Sequence, residues 1–394
     1  MRVLIVHNRY RSGSPGGEDV VVDQETRLLR DAGVEVRQYS RSNDEMSEKS
    51  WIDRLRVATQ FADSRRTSRE LVALFRAFDP DVVHVHNTFP LVTSAVYSAC
   101  ARANVPVVQT IHNYRWVCAA ATHYRQGAVC EACTPGRPLA AVRHRCYRNS
   151  FLGSLAVASM ISSDARRNVH SRFIDRFFVL GRFAAERLAS QGVDPRKIVV
   201  KPNFVPPSTA VREDSRRMAL FVGRLAPEKG LNTLLRACAL VRGVSLGIVG
   251  DGPMREELER EVIRRGLDVH FLGMQDRSGV RALLSRAMFL VTPSEWFEAG
   301  IPLVVLEAWA EGTPVIAPRF AGMADLNDGE DALTFSVGCV EGLADCIRRM
   351  ASSGSLRAKI AAGGRTRQLA EHTPRASLST LLDTYSQVCR TNSV

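Results

Sequence analysis

Val291–Ala317 reads VTPSEWFEAGIPLVVLEAWAEGTPVIA. The apolar run Met288–Val291 stops at Thr292-Pro293-Ser294, and a short loop carrying Glu295, Glu298 and Gly300 follows. Pro302 then opens an apolar stretch, Leu303–Trp309, whose length and pattern suit a buried helix. Gly312-Thr313-Pro314 stops that helix, and Val315-Ile316-Ala317 reads as the next strand. The stretch is therefore a strand–loop–helix–strand unit, with its acids and its glycine where the strand ends. In open parallel sheets ligands bind at that end, facing a helix N-terminus whose unpaired N–H groups favour an anion. Glu307 lies inside an otherwise apolar helix. A carboxylate there needs a partner, and ligand hydroxyls would serve.

Upstream, Met218–Val222 reads as the strand that opens the same domain. Gly223-Arg224-Leu225-Ala226-Pro227-Glu228-Lys229-Gly230 follows, then a helix over Leu231–Val241. Two cations at a strand end, with glycines that let the backbone come close, suit a diphosphate. The spacing is not that of a Walker loop, whose Lys-Ser/Thr ends a longer glycine run. Further β–α alternation follows: strand Ser245–Gly250, helix Met254–Arg265, strand Val269–Gly273 with Phe271, and helix Gly279–Ala287. Gly342–Met350, Leu356–Leu369 and Arg375–Cys389 read as helices.

The first half of the chain has the same rhythm. Residues 2–7 (RVLIVH) read as a buried strand, followed by a loop ending in Pro15-Gly16-Gly17. A helix from about Asp19 to Ala32 and a strand over Val34–Tyr39 complete a βαβ opening. Trp51–Phe78 reads as helical, with Arg and Lys interleaved among Trp51, Ile52, Leu55, Val57 and Phe61. A helix packed on the sheet and a basic helix lying on a membrane both fit that pattern. Asp81–His86 and Pro106–His112 are strands, and His112-Asn113 stands at a strand's C-terminal end, where a ligand can be met. His84 and His86 read as structural, or as support for a neighbouring residue that meets the ligand. Asp175–Leu180 reads as the last strand of this half, and the domain boundary falls near 195–205, with Ile198–Lys201 as a strand.

Residues 114–150 break the rhythm. They hold Cys118, Cys130, Cys133 and Cys146 among Arg115, Arg125, Arg143, Arg145 and Arg148. Four soft ligands in so short a segment fit a structural tetrahedral zinc site, with His123 and His144 as alternative ligands. Free thiols are the plainer alternative. Disulfides are disfavoured because Met1–Asn8 begins a strand and shows no signal-peptide pattern.

At 394 residues, 45% hydrophobic and 24% charged, the chain has the composition of a globular protein of two or three domains. No stretch approaches a membrane-spanning length. The expectation is a cytoplasmic protein, with the inner membrane face as a peripheral location. The net charge of +12 lies mostly in the first half. It suits anionic substrates or an anionic membrane surface. Nucleic acid is not expected as a partner, because no nucleic-acid module is recognisable.

Taken together, Glu307, Ala308, Gly312, Pro314 and Val315, with Gly223-Arg224 and Lys229-Gly230, resemble the signature of the family-4 retaining glycosyltransferases. That family's pattern sets seven residues between its two acids. Glu298 stands one residue farther from Glu307, as a one-residue insertion in the loop would place it. The resemblance implies an α/β chain of the GT-B fold, two doubly wound Rossmann-like domains facing across a cleft. Residues 1–197, with a Cys-rich insert at about 114–150 and completed by a helix over 375–394, would bind the acceptor. Residues 198–374 would bind a nucleotide sugar carrying UDP or GDP.

The reaction so implied is glycosyl transfer with retention and without a catalytic metal, to a hydroxyl of a glycan, lipid-linked or small-molecule acceptor, as in polysaccharide biosynthesis. Arg224, Lys229 and the N–H groups around Gly300, Ile301, Pro302 and Leu303 would hold the leaving diphosphate. Glu307 would bind the ribose, Glu298 and His112 the donor sugar, and the Phe271 strand the base. Gly16, Gly17 and Gly223 would allow close backbone approach. Asn113 stands where the family often has Asp, and Ala321-Gly322-Met323-Ala324-Asp325 resembles a later Gly-Gly-x-x-Glu loop. Some bacterial members carry a similar Cys-rich insert. A sugar-nucleotide 2-epimerase of the same fold, or a non-catalytic nucleotide-sugar-binding protein, are the alternative functions.

Overall fold

A computed structural model describes residues 1–12, 16–47, 64–208 and 218–391. The chain divides into two units. The first comprises Met1–His123, Cys130–Lys201 and the chain from Leu378 onward, and the second comprises Pro202–Ser377 with Tyr124–Val129. The basic segment from Trp51 to Phe61 lies outside the described residues. The part that follows is a helix, Arg65–Phe78, which begins at Ser64 and buries Thr67, Leu71, Phe75 and Phe78.

In chain order the strands up to residue 200 are β1 (Arg2–Arg9), β2 (Glu35–Ser42), β3 (Val82–Val85), β4 (Val107–Ile111), β5 (Tyr124–Arg125), β6 (Ala128–Val129), β7 (Arg176–Val179) and β8 (Ile198–Val200). β5 and β6 form an antiparallel hairpin. The other six make one parallel sheet in the order β2-β1-β3-β4-β7-β8. Both faces of this sheet are covered, which is why its strands read as continuous apolar runs. Along β1, Val3 and Ile5 face one layer and Leu4 and Val6 the other. The first layer holds Val22 and Leu29 of the helix Gly17–Asp31 and Leu381, Tyr385 and Val388 of the last helix, Pro374–Thr391. The second holds Leu71, Phe75, Val96 and Cys100.

The second unit repeats the scheme with β9 (Met218–Val222), β10 (Ser245–Val249), β11 (Val269–Gly273), β12 (Phe289–Val291), β13 (Val315–Pro318) and β14 (Leu333–Phe335). All are parallel, in the order β11-β10-β9-β12-β13-β14. Each sheet therefore reverses its winding beside its first strand, between β1 and β3 and between β9 and β12. Loops leaving those strand ends diverge and open a crevice.

Between β4 and β7 the chain leaves the βα pattern. It forms the β5–β6 hairpin, a short helix Leu139–Arg143, a longer helix Phe151–Arg166 and a further turn of helix, Val169–Phe173. The longer helix starts at Ser150, whose side chain accepts from the Gly153 N–H. Sequence reading passed over residues 151–174. With Ser154, Val157, Ala158 and Ile161 as the buried positions, the apolar stripe is narrow and the outward face is not uniformly polar.

Candidate functional site

The second unit gathers its charged side chains where β9 and β12 end. After β9, Gly223 leads through the turn Pro227–Lys229 into the helix Leu231–Ala239. After β12, residues 292–302 lead into the helix Leu303–Ala310. Gly230 fastens one loop to the other. Its φ is +69°, and a Cβ there would stand 2.0 Å from the Pro293 carbonyl oxygen. The Glu295 N–H donates to the Glu228 carbonyl oxygen at 2.9 Å across the same junction.

The side chains meet on that frame. Lys229 Nζ donates to Glu298 Oε1 at 2.8 Å and lies 4.7 Å from the centre of the Trp296 ring. Ser294 Oγ and Trp296 Nε1 donate to the same carboxylate oxygen, at 3.1 and 2.7 Å. With eight residues between it and Glu307, Glu298 reaches the lysine. Arg224 pairs with Glu228, and its side chain is 59% exposed. Gly300 is approached by a second loop. A Cβ on Gly322 would stand 2.5 Å from both the Gly300 nitrogen and the Glu298 carbonyl oxygen, and the Gly322 N–H donates to that carbonyl. Ile301 is buried, Pro302 caps the helix and Leu303 begins it. Phe271 is half-buried on the edge strand β11.

Glu307 has a partner within the protein: Arg277 Nε donates to its Oε1 at 2.9 Å. Burial still raises the Glu307 carboxyl above the usual range, against the lowering pull of Arg277. One turn on, Arg281 donates to Glu311 at 2.6 Å. Two arginines spaced four apart on one helix thus face two glutamates spaced four apart on the next. That double spacing was present in the sequence and had not been used. Ser294 and Trp296 were also missed.

The first unit is built differently. Gly16 and Gly17 stand at the start of the helix Gly17–Asp31, and Asp19 caps the turn by accepting from the Gly16 N–H at 3.0 Å and from His7 at 2.7 Å. Burial pushes the Asp19 carboxyl up, but His7 and the backbone donors outweigh it and hold it below the usual range. Glu18 accepts from Asn113 Nδ2 at 2.6 Å and is raised by burial. A carboxylate therefore stands beside Asn113 at this strand end.

Behind these lies a buried polar chain. His112 Nε2 and His86 Nδ1 are 2.9 Å apart. His86 Nε2 faces Glu25 Oε2 at 3.6 Å, and Glu25 Oε1 accepts from Lys201 Nζ at 2.5 Å. His84 bonds Thr110 and Tyr385, each at 2.7 Å. Burial lowers His84 and His86 well below the ordinary imidazole value, and His112 to about 3. These rings are neutral at working pH. A carboxylate facing His86 Nε2 favours the proton on that atom, which makes His86 Nδ1 an acceptor. In that tautomer His112 Nε2 donates to His86 Nδ1, and His112 Nδ1 keeps a lone pair. His112, Glu18 and Asn113 line a cavity of about 80 Å³ with Trp116, Met160 and Asp164. Glu25, His84 and His86 bring three ligating atoms within 4.8 Å of one another. The Lys201 ammonium already neutralises that carboxylate, so the set does not suit a metal cation.

The zinc expectation is not met by a ready-made site. Among the described residues no three of the Cys118, Cys130, Cys133 and Cys146 sulfurs come within 4.8 Å of one another. Cys133 and Cys146 pack instead against the small apolar cluster of Ala119, Ala141, Val157 and Ile161. Burial pushes the Cys133 thiol up, and the neighbouring Cys118 and Cys130 add to the rise.

Residues 15–209 match the family described as Glycosyltransferase Family 4, and residues 216–353 match Glycosyl transferases group 1. The lipopolysaccharide core biosynthesis glycosyltransferase LpsE of Rhizobium meliloti (strain 1021) is 33% identical over 191 residues, 46% of this chain and 55% of that protein. LpsD of the same organism is 34% identical over 203 residues, 49% and 58% of the two chains. The chain spans about half the length of these curated relatives. A crystal structure of Anabaena Alr3699/HepE in complex with UDP aligns with 98% of this chain and 100% of that one, with a TM-score of 0.68 and 16% identity. At that identity the likeness is one of fold.

Proposed function

The chain belongs to the family-4-type glycosyltransferases of the GT-B fold, and on that premise we propose that it moves a glycosyl group from a nucleotide sugar to a hydroxyl of a glycan, glycolipid or small-molecule acceptor. The observation that carries this reading is the meeting of Lys229, Glu298 and Trp296 at the β9/β12 strand ends, with Arg224 beside them. Two cations and a helix N-terminus there suit a leaving diphosphate.

The bond from the anomeric carbon to the β-phosphate oxygen breaks, and its electron pair stays on that oxygen. Arg224 and Lys229 stabilise the growing negative charge by exchanging Glu228 and Glu298 for phosphate oxygens. The acceptor oxygen bonds to the same face of the sugar, and its proton passes to the departing phosphate. The configuration at the anomeric carbon is thereby retained. This scheme assigns no step to a divalent metal. Glu298, once released by Lys229, remains held by Ser294 and Trp296 and accepts from a sugar hydroxyl. Glu307, steadied by Arg277, accepts from the ribose. The first unit takes the acceptor, and the His112 Nδ1 lone pair accepts from a sugar hydroxyl.

Thermal shift with UDP, GDP, ADP and their common sugars tests the donor site. The UDP series is the first choice, since the aligned Anabaena structure holds UDP. One base should raise the melting temperature clearly, and its sugar should then be consumed only when an acceptor is added. Release of UDP with no acceptor present would favour epimerase chemistry, and no shift with any nucleotide would remove the donor site.

A further inference from the structure

Four large apolar side chains of the first unit stand in water: Leu139 is 77% exposed, Leu152 65%, Phe151 52% and Leu155 44%. Phe151, Leu152 and Leu155 lie on the first turn and a half of the helix Phe151–Arg166, whose opposite side buries Ser154, Val157, Ala158 and Ile161. Leu139 begins the helix Leu139–Arg143, which joins the same small core through Ala141. Arg143, Arg145 and Arg148 are exposed in the same stretch. From residue 132 to residue 163 there is no Asp or Glu, and Asp164, which ends that run, is bonded by Arg167 at 2.6 Å. Elsewhere among the described residues the exposed large apolar side chains, such as Leu240, Ile263, Met274 and Leu369, stand singly on separate elements, which is ordinary for a protein surface.

We propose that Leu139, Phe151, Leu152 and Leu155, with Arg143, Arg145 and Arg148, form a surface that docks the first unit on a bilayer rich in anionic lipid. Apolar side chains flanked by arginines, without acids, match an acyl boundary beneath negative headgroups. The outward positions turn polar after Leu155, with Ser159 and Arg166 exposed. The helix therefore seats by its first turns and does not bury its whole length. Among the described residues no helix is long and apolar enough to cross a membrane. The same helix presents Met160, Ile161 and Asp164 to the cavity that His112 lines. Docking thus brings that cavity within one helix of the lipid surface, a position suited to an acceptor whose glycan is attached to lipid.

The docking itself does not rest on glycosyl transfer and is measured without a donor. The full chain is sedimented with vesicles of POPC and with vesicles of POPC and POPG at 7:3, in 0.1 M and 0.5 M NaCl. The wild type should bind the POPG vesicles at low salt and lose most of that binding at high salt. Replacing Arg143, Arg145 and Arg148 together by Ala should weaken binding about 100-fold, at roughly fivefold per arginine. Phe151→Ser with Leu152→Ser should weaken it at least about tenfold through lost apolar burial. Both variants change exposed positions and should keep the wild-type melting temperature. Absence of wild-type binding to POPG vesicles would overturn the proposal, as would equal binding by the folded variants. A wild-type dimer in solution that both variants dissolve would also overturn it, and would assign the surface to a second copy of the chain.

Discussion

Beyond β9 and β12 the strand ends carry Arg224 and Lys229 in exchangeable pairs with Glu228 and Glu298, and the Arg224 side chain is more than half exposed. Beyond β3 and β4 the strand ends carry His86 and His112, backed by an ion pair, Glu25–Lys201, that is almost entirely buried. The two sheets share parallel winding and a reversal beside the first strand. They treat charge in opposite ways. The second unit keeps Arg224 near solvent at its strand end, where an anionic ligand can displace its carboxylate at modest cost. The first unit seals its charge, neutralises it internally and presents uncharged imidazole. A diphosphate suits the former, and a neutral hydroxyl suits the latter.

The largest effect should come from breaking the sealed pair. Glu25→Ala leaves the Lys201 ammonium buried and alone, and should cost about 3–5 kcal/mol in chemical denaturation. Glu25→Leu combined with Lys201→Met should recover most of that loss. A cost under about 1 kcal/mol for Glu25→Ala would mean that the pair is solvated and the contrast between the units is false. Next comes the exchangeable side. Lys229→Ala or Arg224→Ala should lower turnover about 10²-fold, some 2.7 kcal/mol, if each supplies one contact to the leaving group. Unchanged turnover in both variants would displace the donor site from these loops.

Acid should separate the units further. His84, His86 and His112 are neutral in the folded protein, with values lowered by burial. Each takes up a proton on unfolding, so its contribution is complete above the ordinary imidazole value near about 6.5 and is lost as the pH falls towards the folded value. The slope should reach about 1.4 kcal/mol per pH unit for each histidine. Glu18 and Glu307, raised by burial, pull the other way at the acid end. Denaturant midpoints at pH 7 and pH 5 would show the loss, and equal midpoints would show that these imidazoles are not sealed. The finest test is the tautomer. Ring nitrogen NMR on histidine-labelled protein should find His86 and His112 both protonated at Nε2. His112 protonated at Nδ1 would reverse the direction of the chain and leave a donor, in place of an acceptor, facing the cavity.

Much of the frame was legible early. The βα alternation, the Gly-Arg and Lys-Gly pairs and the Pro302 helix start are local patterns, each set by backbone preference and periodicity within a few residues. Single strands and glycine turns were read from them correctly. The Arg277 partner of Glu307 was not legible, because it lies 30 residues away on another helix. The cysteines gave a ligand-like spacing, yet Cys133 and Cys146 pack on an apolar cluster and, among the described residues, no three of the four sulfurs come within 4.8 Å of one another. His86 was read as structural or as support for a neighbouring ligand contact, while the cavity wall from Phe151–Arg166 was not anticipated.

By itself the sequence determined two parallel α/β halves and the placing of Arg224, Lys229 and Glu298 in strand-end loops, because those features follow from short-range patterning. Tertiary structure alone decided which charges are sealed and which are exchangeable. The Glu25–Lys201 bond joins positions 176 residues apart. Tyr385 reaches His84 from 301 residues away. Phe151, Leu152 and Leu155 stand in water because other positions of the same helix are taken by the core. Burial sets the strength and the protonation of such groups, and burial is a property of the packed chain that no local stretch carries.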